Sequence, residues 1–329
     1  MKPNLPPTFP EAFIERYASI LGAVQLERIL HGFDAKRQTW FRINLLRGTI
    51  DSAKVILIED GVKFIMDEFL VDAGWVEAED RESLLSSKAA QMGLIYVQGL
   101  ASQLPVRFLD IHPGLSVLDL TAAPGSKTLQ IAGLASLDDE IAAVELVRKR
   151  KFKLQDNLRR HGADHVRVFL QDGTKVWKYR PEYFDRVLLD APCSSEGRFR
   201  LDDESSFSYW SPSKVKEMVR KQRRLLFSAV HALRPGGTLV YSTCAVSPDE
   251  NEGAIEHILK SFEGCIKIDP IKFDAPERVE PVLKWRNKQL NDQVAGACRL
   301  VPSERMEGFF VCKMIKTDTS HPPTPGKRN

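Results

Sequence analysis

The sequence predicts an α/β fold: a Rossmann-like, mostly parallel sheet with helices on both faces, preceded by a small N-terminal α+β domain. Three observations predict it. From Ser116 onward short apolar runs alternate with helix-length segments, the pattern of a parallel sheet covered by helices. A turn of small residues, Thr121-Ala122-Ala123-Pro124-Gly125-Ser126-Lys127-Thr128, joins the first such strand to the first such helix. Two later apolar runs each end on a cysteine, in Asp190-Ala191-Pro192-Cys193-Ser194 and in Ser242-Thr243-Cys244. In open α/β sheets ligands bind outside the carboxyl ends of the strands, so two thiols delivered there can face one substrate. That points to an enzyme using sulfur chemistry.

Each element has its own signal. Four prolines within the first ten residues disfavour a helix, and helical periodicity then begins near Glu11 with Phe13, Ile14, Tyr17, Ile20 and Leu21. Trp40 to Asn44 reads as a strand, and helix and strand candidates alternate to Trp75-Val76. A helix is predicted over Leu84 to Leu100, then a turn at Asp110-Ile111-His112-Pro113-Gly114. Strands follow at 116–120, 140–144, 166–170, 185–190 and 238–242. Helices are predicted at 126–134, 147–160 and 213–233, the last stopped by Arg234-Pro235-Gly236-Gly237. A final strand covers 308–315. The domain division is therefore 1–112 for the α+β part and its connecting helix, 113–315 for the sheet domain, and 316–329 for a polar tail with three prolines, expected to be disordered.

Composition bounds the function. A chain of 329 residues suits about two domains, and 43% hydrophobic with 28% charged residues is ordinary for a soluble protein. A net charge of +3 permits a nucleic-acid partner without demanding one. Residues 1–112 hold 12 basic and 15 acidic residues, so that part is not a basic domain. The five cysteines form no C-x-x-C pair, which argues against a structural zinc site, and no metal is expected. The start carries no apolar signal segment, and no run approaches the roughly 18 residues of a membrane span. A cytoplasmic protein with no membrane association and no obligate protein partner is expected.

The turn after the first sheet strand reads as a cofactor loop. Small residues allow close approach to the backbone, and the helix that follows offers free N–H groups. The glycine spacing matches neither a phosphate-binding P-loop nor G-x-G-x-x-G. Glu145 follows the second strand, twenty residues after Gly125, where an acidic residue accepts hydrogen bonds from ribose hydroxyls. Asp172 follows the third strand. Either carboxylate alone could be a helix cap, but together at successive strand ends they favour an adenosyl ligand.

These segments resemble one family. Leu118 to Thr128, Asp190 to Ser194 and Tyr241 to Cys244 are similar to motifs of the Sun (Fmu)/Nol family of S-adenosylmethionine-dependent RNA 5-methylcytosine methyltransferases. Thr121 stands where members commonly have Cys, and Ser126 where they have a second Gly; both keep the loop compact. Further similar segments are Phe41 to Gly48, Tyr96 to Leu104, Trp210-Ser211, Gln222 and Met306 to Phe310. The likeness covers roughly residues 40 to 315.

The resemblance implies a class I methyltransferase sheet that binds S-adenosyl-L-methionine through Thr121, Ala122, Ala123, Pro124, Gly125, Ser126, Lys127, Glu145, Arg150, Asp172 and Asp190. It implies Cys244 as the nucleophile that adds to carbon 6 of cytosine, and Cys193 as the group that assists breakdown of the adduct. Asp190 would hold the polar edge of the base, and Lys127 would lie between cofactor loop and catalytic pocket. A thiolate addition of this kind turns carbon 5 into a nucleophile, dividing one hard step into two easier ones. Cys265, Cys298 and Cys312 read as small buried hydrophobes. The implied partner is structured RNA, ribosomal RNA ahead of transfer RNA. Two other readings stay open: a DNA-type cytosine methyltransferase, in which the Pro-Cys thiol attacks, and a catalytically silent ribosome assembly factor. Residues 147–160 carry seven basic and one acidic residue and 213–224 six and one, although such runs are usually solvated faces. Arg198 and Arg200, just after the catalytic loop, are better candidates for RNA contact than Lys149 and Lys151.

Overall fold

The computed structural model describes residues 5 to 319. Helix α1, Glu11–Asp34, carries the predicted apolar stripe and is interrupted at Gly22, whose φ of 77° is not helical. It packs Phe13, Tyr17 and Phe33 against Phe199, Phe207 and Trp210, which follow the first cysteine motif. Strands β1 (Thr39–Ile43), β2 (Ile65–Met66), β3 (Ala73–Val76) and β4 (Ile95–Val97) form an antiparallel sheet in the order β2-β3-β1-β4. Helix α2, Ile50–Glu59, begins with a capping box between Thr49 and Ser52 and covers this sheet's core of Phe41, Ile43, Leu57, Val76 and Leu84.

The helix predicted over 84–100 is not one element. Helices α3 (Arg81–Ser86) and α4 (Lys88–Gln91) are followed by β4 and then by α5 (Leu100–Phe108). Gly93, at a φ of 70°, ends α4, and Ile95 to Val97 then pair with β1. Sheet pairing outweighed helical periodicity there, because β1 would otherwise keep an open edge.

The second sheet builds on β5 (Val117–Asp119), β6 (Ile141–Glu145), β7 (Arg167–Leu170), β8 (Phe184–Asp190) and β9 (Leu233–Thr243), all parallel, in the order β9-β8-β5-β6-β7. Order reverses between β5 and β8, which is where such sheets hold ligands. Helices α6 (Ser126–Leu134) and α7 (Arg148–Arg160) pack with α5 on one face, burying Leu104, Leu129 and Leu154 against Val117, Leu188 and Val240. Helices α8 (Pro212–Ala232) and α9 (Glu252–Ser261) cover the other, against Leu118, Val187, Leu189 and Tyr241. The alternation along each strand is the period-two pattern of a pleated sheet buried on both faces. The predicted stop at 234–237 is a register break inside β9, with Gly236 at a φ of 79°.

The chain then leaves the parallel pattern. Strands β10 (Ile266–Ile268), β11 (Arg278–Val279), a hairpin of β12 (Lys284–Trp285) and β13 (Lys288–Gln289), β14 (Cys298–Leu300) and β15 (Phe309–Lys316) complete the fold. β15 lies antiparallel to β9, and β14 and β11 follow outward from it. Because β15 runs to Lys316, the expected tail cannot begin there; residues 320–329 lie outside the described residues.

One buried ion pair ties these outer strands to the second cysteine. Arg299 on β14 donates to both carboxylate oxygens of Glu252 on α9, at 2.8 and 2.7 Å, and to the carbonyl of Val246 at 2.9 Å. Both side chains are almost wholly buried. Arg299→Ala strands a buried carboxylate, so unfolding in urea should show a loss of about 3–5 kcal/mol.

Candidate active site

Neighbouring parallel strands deliver both cysteine motifs to one place. Asp190, the last residue of β8, lies in register with Ser242 of β9, and the Ala191 N–H donates to the Ser242 carbonyl at 2.8 Å. Both chains turn away immediately beyond. The Gly197 N–H donates to the carbonyl of Cys244 at 2.9 Å, and the Cys193 and Cys244 sulfurs are 3.4 Å apart. Gly197 allows this because a Cβ there would run into the backbone of Gly308, which explains why the Met306 to Phe310 segment abuts the catalytic loop.

The two thiols are electrostatically unequal. The two sulfurs share a hydrogen bond in which either can donate; with Cys193 as donor, and with help from the Arg198 guanidinium against the cost of burial, the Cys244 thiol is drawn below its ordinary value. The same hydrogen bond, with burial, pushes Cys193 well up. Cys244 is thus the more acidic thiol of the pair and Cys193 the less acidic. Cys298 and Cys312 are buried in the core, and burial raises both. Cys265 departs from the expectation: it is half-buried, at the edge beside the described C-terminal end, because β10 follows it and only its neighbour Ile266 points inward.

Asp190 is held from two sides. Lys127 donates to Oδ2 at 2.7 Å and Ser242 to Oδ1 at 2.8 Å. Lys127 also donates to Ser102 at 2.7 Å and lies 5.7 Å from the centroid of the Phe309 ring. Its side chain is only 7% exposed against 35% for Asp190, so the lysine braces the carboxylate from behind while the carboxylate faces the cleft.

A cleft of about 630 Å³ runs along the sheet edge from the β6 end to the thiols. Of the predicted cofactor residues, Thr121, Ala123, Pro124, Glu145, Arg150, Asp172 and Asp190 line it. Ala122, Gly125, Ser126 and Lys127 do not. The Ala122 N–H is spent on the carbonyl of Val144 at 2.9 Å. Gly125 turns the chain into α6 at a φ of 111° and sits against Leu154. The Ser126 carbonyl accepts from Arg42 at 3.1 Å. Glu145 is 4% exposed; one oxygen accepts from the Val147 N–H at 2.8 Å and the other lies 3.4 Å from Arg150, leaving acceptor capacity for a hydroxyl pair. Arg150 also donates to the Ala123 carbonyl at 2.7 Å, so it braces the loop as well as lining the cleft. Asp172 caps the turn after β7 through Thr174. An adenosyl group suits this lining: carboxylates for hydroxyls, and Ala191, Pro192 and Leu225 for an apolar ring.

On the basic side, Arg198 lines the cleft, whereas Arg200 turns away and pairs with Asp202 at 2.7 Å. Arg220, Lys221 and Arg224 of α8 line it too. On α7, Arg159 and Arg160 pair with Asp156 on the solvated side.

Sequence reasoning missed three groups. Arg42 is buried, donates to Gln98 at 2.9 Å as well as to Ser126, and burial lowers its pKa to about 9; it joins the first sheet to the cofactor loop. Glu196 and Glu250 are buried between the cysteine turns. A charged residue in a loop gives no burial signal. The one available clue was their proximity to the two cysteine motifs.

Residues 106–315 match the family described as "16S rRNA methyltransferase RsmB/F". A Vibrio campbellii protein named ribosomal RNA small subunit methyltransferase F is 33% identical over 333 residues, covering 100% of this chain and 67% of that protein. Its Escherichia coli namesake is 33% identical over 94% of this chain and 64% of its own length. The chain thus spans about two thirds of these relatives. Among solved structures, a methyltransferase homologue from Pyrococcus horikoshii superposes with a TM-score of 0.80 at 30% identity, covering 94% of this chain and 95% of that one. NSun6 from the same organism gives 0.80 at 21% identity, covering 94% and 99%, a likeness of fold.

Asp119, at the end of β5 beneath the cofactor loop, accepts from Thr128 at 2.6 Å and is raised by burial to about 6. A carboxyl raised on folding makes the folded state bind the proton more tightly, so its contribution is full below the unfolded value and lost as pH rises through the folded one. Between about pH 4 and 6 the wild type should lose on the order of 2–3 kcal/mol relative to Asp119→Asn. Urea titrations of both proteins across that window measure the difference.

Proposed function

The chain belongs to the 16S rRNA methyltransferase RsmB/F family, and from that premise we propose how its residues divide the work of methylating cytosine. It is an S-adenosylmethionine-dependent RNA methyltransferase acting on carbon 5 of cytosine in ribosomal RNA. We infer that the small-subunit RNA is the substrate, after the names of its relatives. The observation that carries the mechanism is the pair of thiols brought within 3.4 Å of each other.

Cys244, the more acidic thiol of the pair, adds as its thiolate to carbon 6 of the target cytosine. Asp190, braced by Lys127, holds the polar edge of the base and stabilises the electron-rich ring. Glu145, Asp172 and the Thr121–Pro124 turn would hold S-adenosylmethionine, whose sulfonium would supply an electrophilic methyl group to carbon 5 and leave as the neutral thioether. Carbon 5 then carries both the methyl and its original hydrogen. Cys193, its own proton released to solvent once Cys244 is bound to carbon 6, takes that proton as base, and the carbon–sulfur bond breaks with its electron pair returning to Cys244 as a thiolate. A target inside a helix must be extruded to reach this cleft. Arg198 with Arg220, Lys221 and Arg224 on α8 forms the RNA-facing rim, and the N-terminal sheet is a second contacting module. No described helix is long and apolar enough to cross a membrane, and we place the enzyme in the cytoplasm, where a reducing environment keeps both thiols free.

Two experiments test this reading. Cys244→Ala should abolish methyl transfer and form no adduct. Cys193→Ala should still attack and then stall, accumulating a protein–RNA band that survives denaturing electrophoresis. A stable adduct from Cys244→Ala alone would reverse the assignment in favour of the DNA-type mechanism, and inert behaviour of both would favour an assembly factor. For the RNA face, charge reversal of Arg220 and Lys221 should weaken RNA binding and its salt dependence more than reversal of Lys149 and Lys151, measured by filter binding at several salt concentrations.

A further inference from the structure

Each cysteine turn sends a buried carboxylate into the other. Glu196, three residues after Cys193, accepts through Oε2 from the backbone N–H groups of Val246 at 3.0 Å and Ser247 at 2.8 Å, just beyond Cys244. Its Oε1 accepts from the Tyr17 hydroxyl of α1 at 2.5 Å and from the Trp210 indole at 2.7 Å. Glu250, six residues after Cys244, reaches the opposite way. Its Oε2 accepts from the Ser194 N–H at 2.9 Å and from Gln222 at 2.8 Å, and its Oε1 takes the Ser194 hydroxyl. Gln222 also donates to the carbonyl of Pro192 at 3.0 Å, so both neighbours of Cys193 in the chain are held. Both carboxylates are fully buried. Burying such groups is costly unless hydrogen bonds satisfy them, and each takes half or more of its hydrogen bonds from the loop that carries the other cysteine.

We propose that Glu196 and Glu250 are reciprocal positioning residues, which cross-tie the two cysteine turns and set the sulfur–sulfur separation. The proposal deepens the reading of Cys244 as nucleophile and rests on it only for the consequences in turnover. The two carboxylates differ in what they can lose. All four donors on Glu196 are N–H or O–H groups from fixed positions, three of them with no acceptor to offer in return. A glutamine there must turn its NH2 against donors that cannot accept: both backbone N–H groups on one side, or the Trp210 indole on the other. At Glu250, an amide oxygen can take the Ser194 and Gln222 N–H groups while its NH2 donates to the Ser194 hydroxyl oxygen. Burial, then the neighbouring Glu196, raises Glu250 to about 8, in keeping with a neutral side chain serving at that position.

Alkylation by iodoacetamide across a range of pH, resolved peptide by peptide by mass spectrometry, tests this without RNA or cofactor. Glu196→Gln should let the turns separate and deprive Cys244 of its Cys193 donor. The Cys244 profile should move up by about one pH unit, and alkylation near pH 7 should slow roughly tenfold. Glu250→Ala should do the same by releasing Cys193, and Glu250→Gln should restore the wild-type profile. Circular dichroism melts establish which variants are folded. A wild-type Cys244 profile in folded Glu196→Gln or in Glu250→Ala overturns the proposal, as does a glutamine at 250 no better than alanine. If Glu196→Gln does not fold, the alanine and glutamine variants at 250 decide the matter. Because the measurement involves no RNA, its failure is distinct from failure of the nucleophile assignment, which the adduct gel reads separately.

Discussion

Parallel pairing of β8 with β9 is the constraint on which the rest of the active site depends. Adjacent strands lie about 4.8 Å apart, and the register of Asp190 with Ser242 places the ends of both strands side by side. From that one alignment come the hydrogen bond from Ser242 to Asp190, the shared edge of the two turns and the short distance between the sulfurs. A slip of one residue would send every side chain of the strand to the opposite face. It would carry Asp190 away from Lys127 and bury the catalytic edge against a helix layer. The reversal of strand order between β5 and β8 opens the cofactor cleft next to this alignment, so methyl donor and thiols meet along one sheet edge.

Much polar chemistry is buried around that edge, and each part of it recruits a distant segment. Lys127 needs Ser102 from α5 as well as Asp190. Glu196 needs Tyr17 from α1. Arg299 on β14 holds Glu252 and the Val246 carbonyl. Arg42 of the first sheet holds the Ser126 carbonyl at the start of α6. Isolated buried charges are expensive, so these partners are conditions of folding as much as of catalysis. The N-terminal helix and sheet are therefore joined to the active site through specific hydrogen bonds and an aromatic cluster of Phe13, Phe33, Phe199 and Phe207. Two thiols 3.4 Å apart keep their hydrogen bond only in a frame stiff enough to hold both turns.

The sequence by itself determined the parallel sheet, because its strands are short apolar runs and its helices are amphipathic over lengths that leave little ambiguity. Helix α6 spans Ser126–Leu134 as its periodicity requires, and β8 ends on Asp190. The two cysteine motifs and the Thr121–Thr128 turn were legible for the same reason: each is a local pattern whose chemistry depends on residue type and position at a strand end. Tertiary structure decided what local pattern cannot carry. Residues 84–100 became two short helices and a strand because β1 offered an edge to pair with. Gly125 and Lys127 proved to be a hinge and a brace behind the cleft, since a residue's direction relative to a pocket depends on what packs against it. The contact between the two thiols, and the crossed carboxylates Glu196 and Glu250, exist only once loops some fifty residues apart share a desolvated space, where burial and proximity, rather than residue type, shift the acidity of each group.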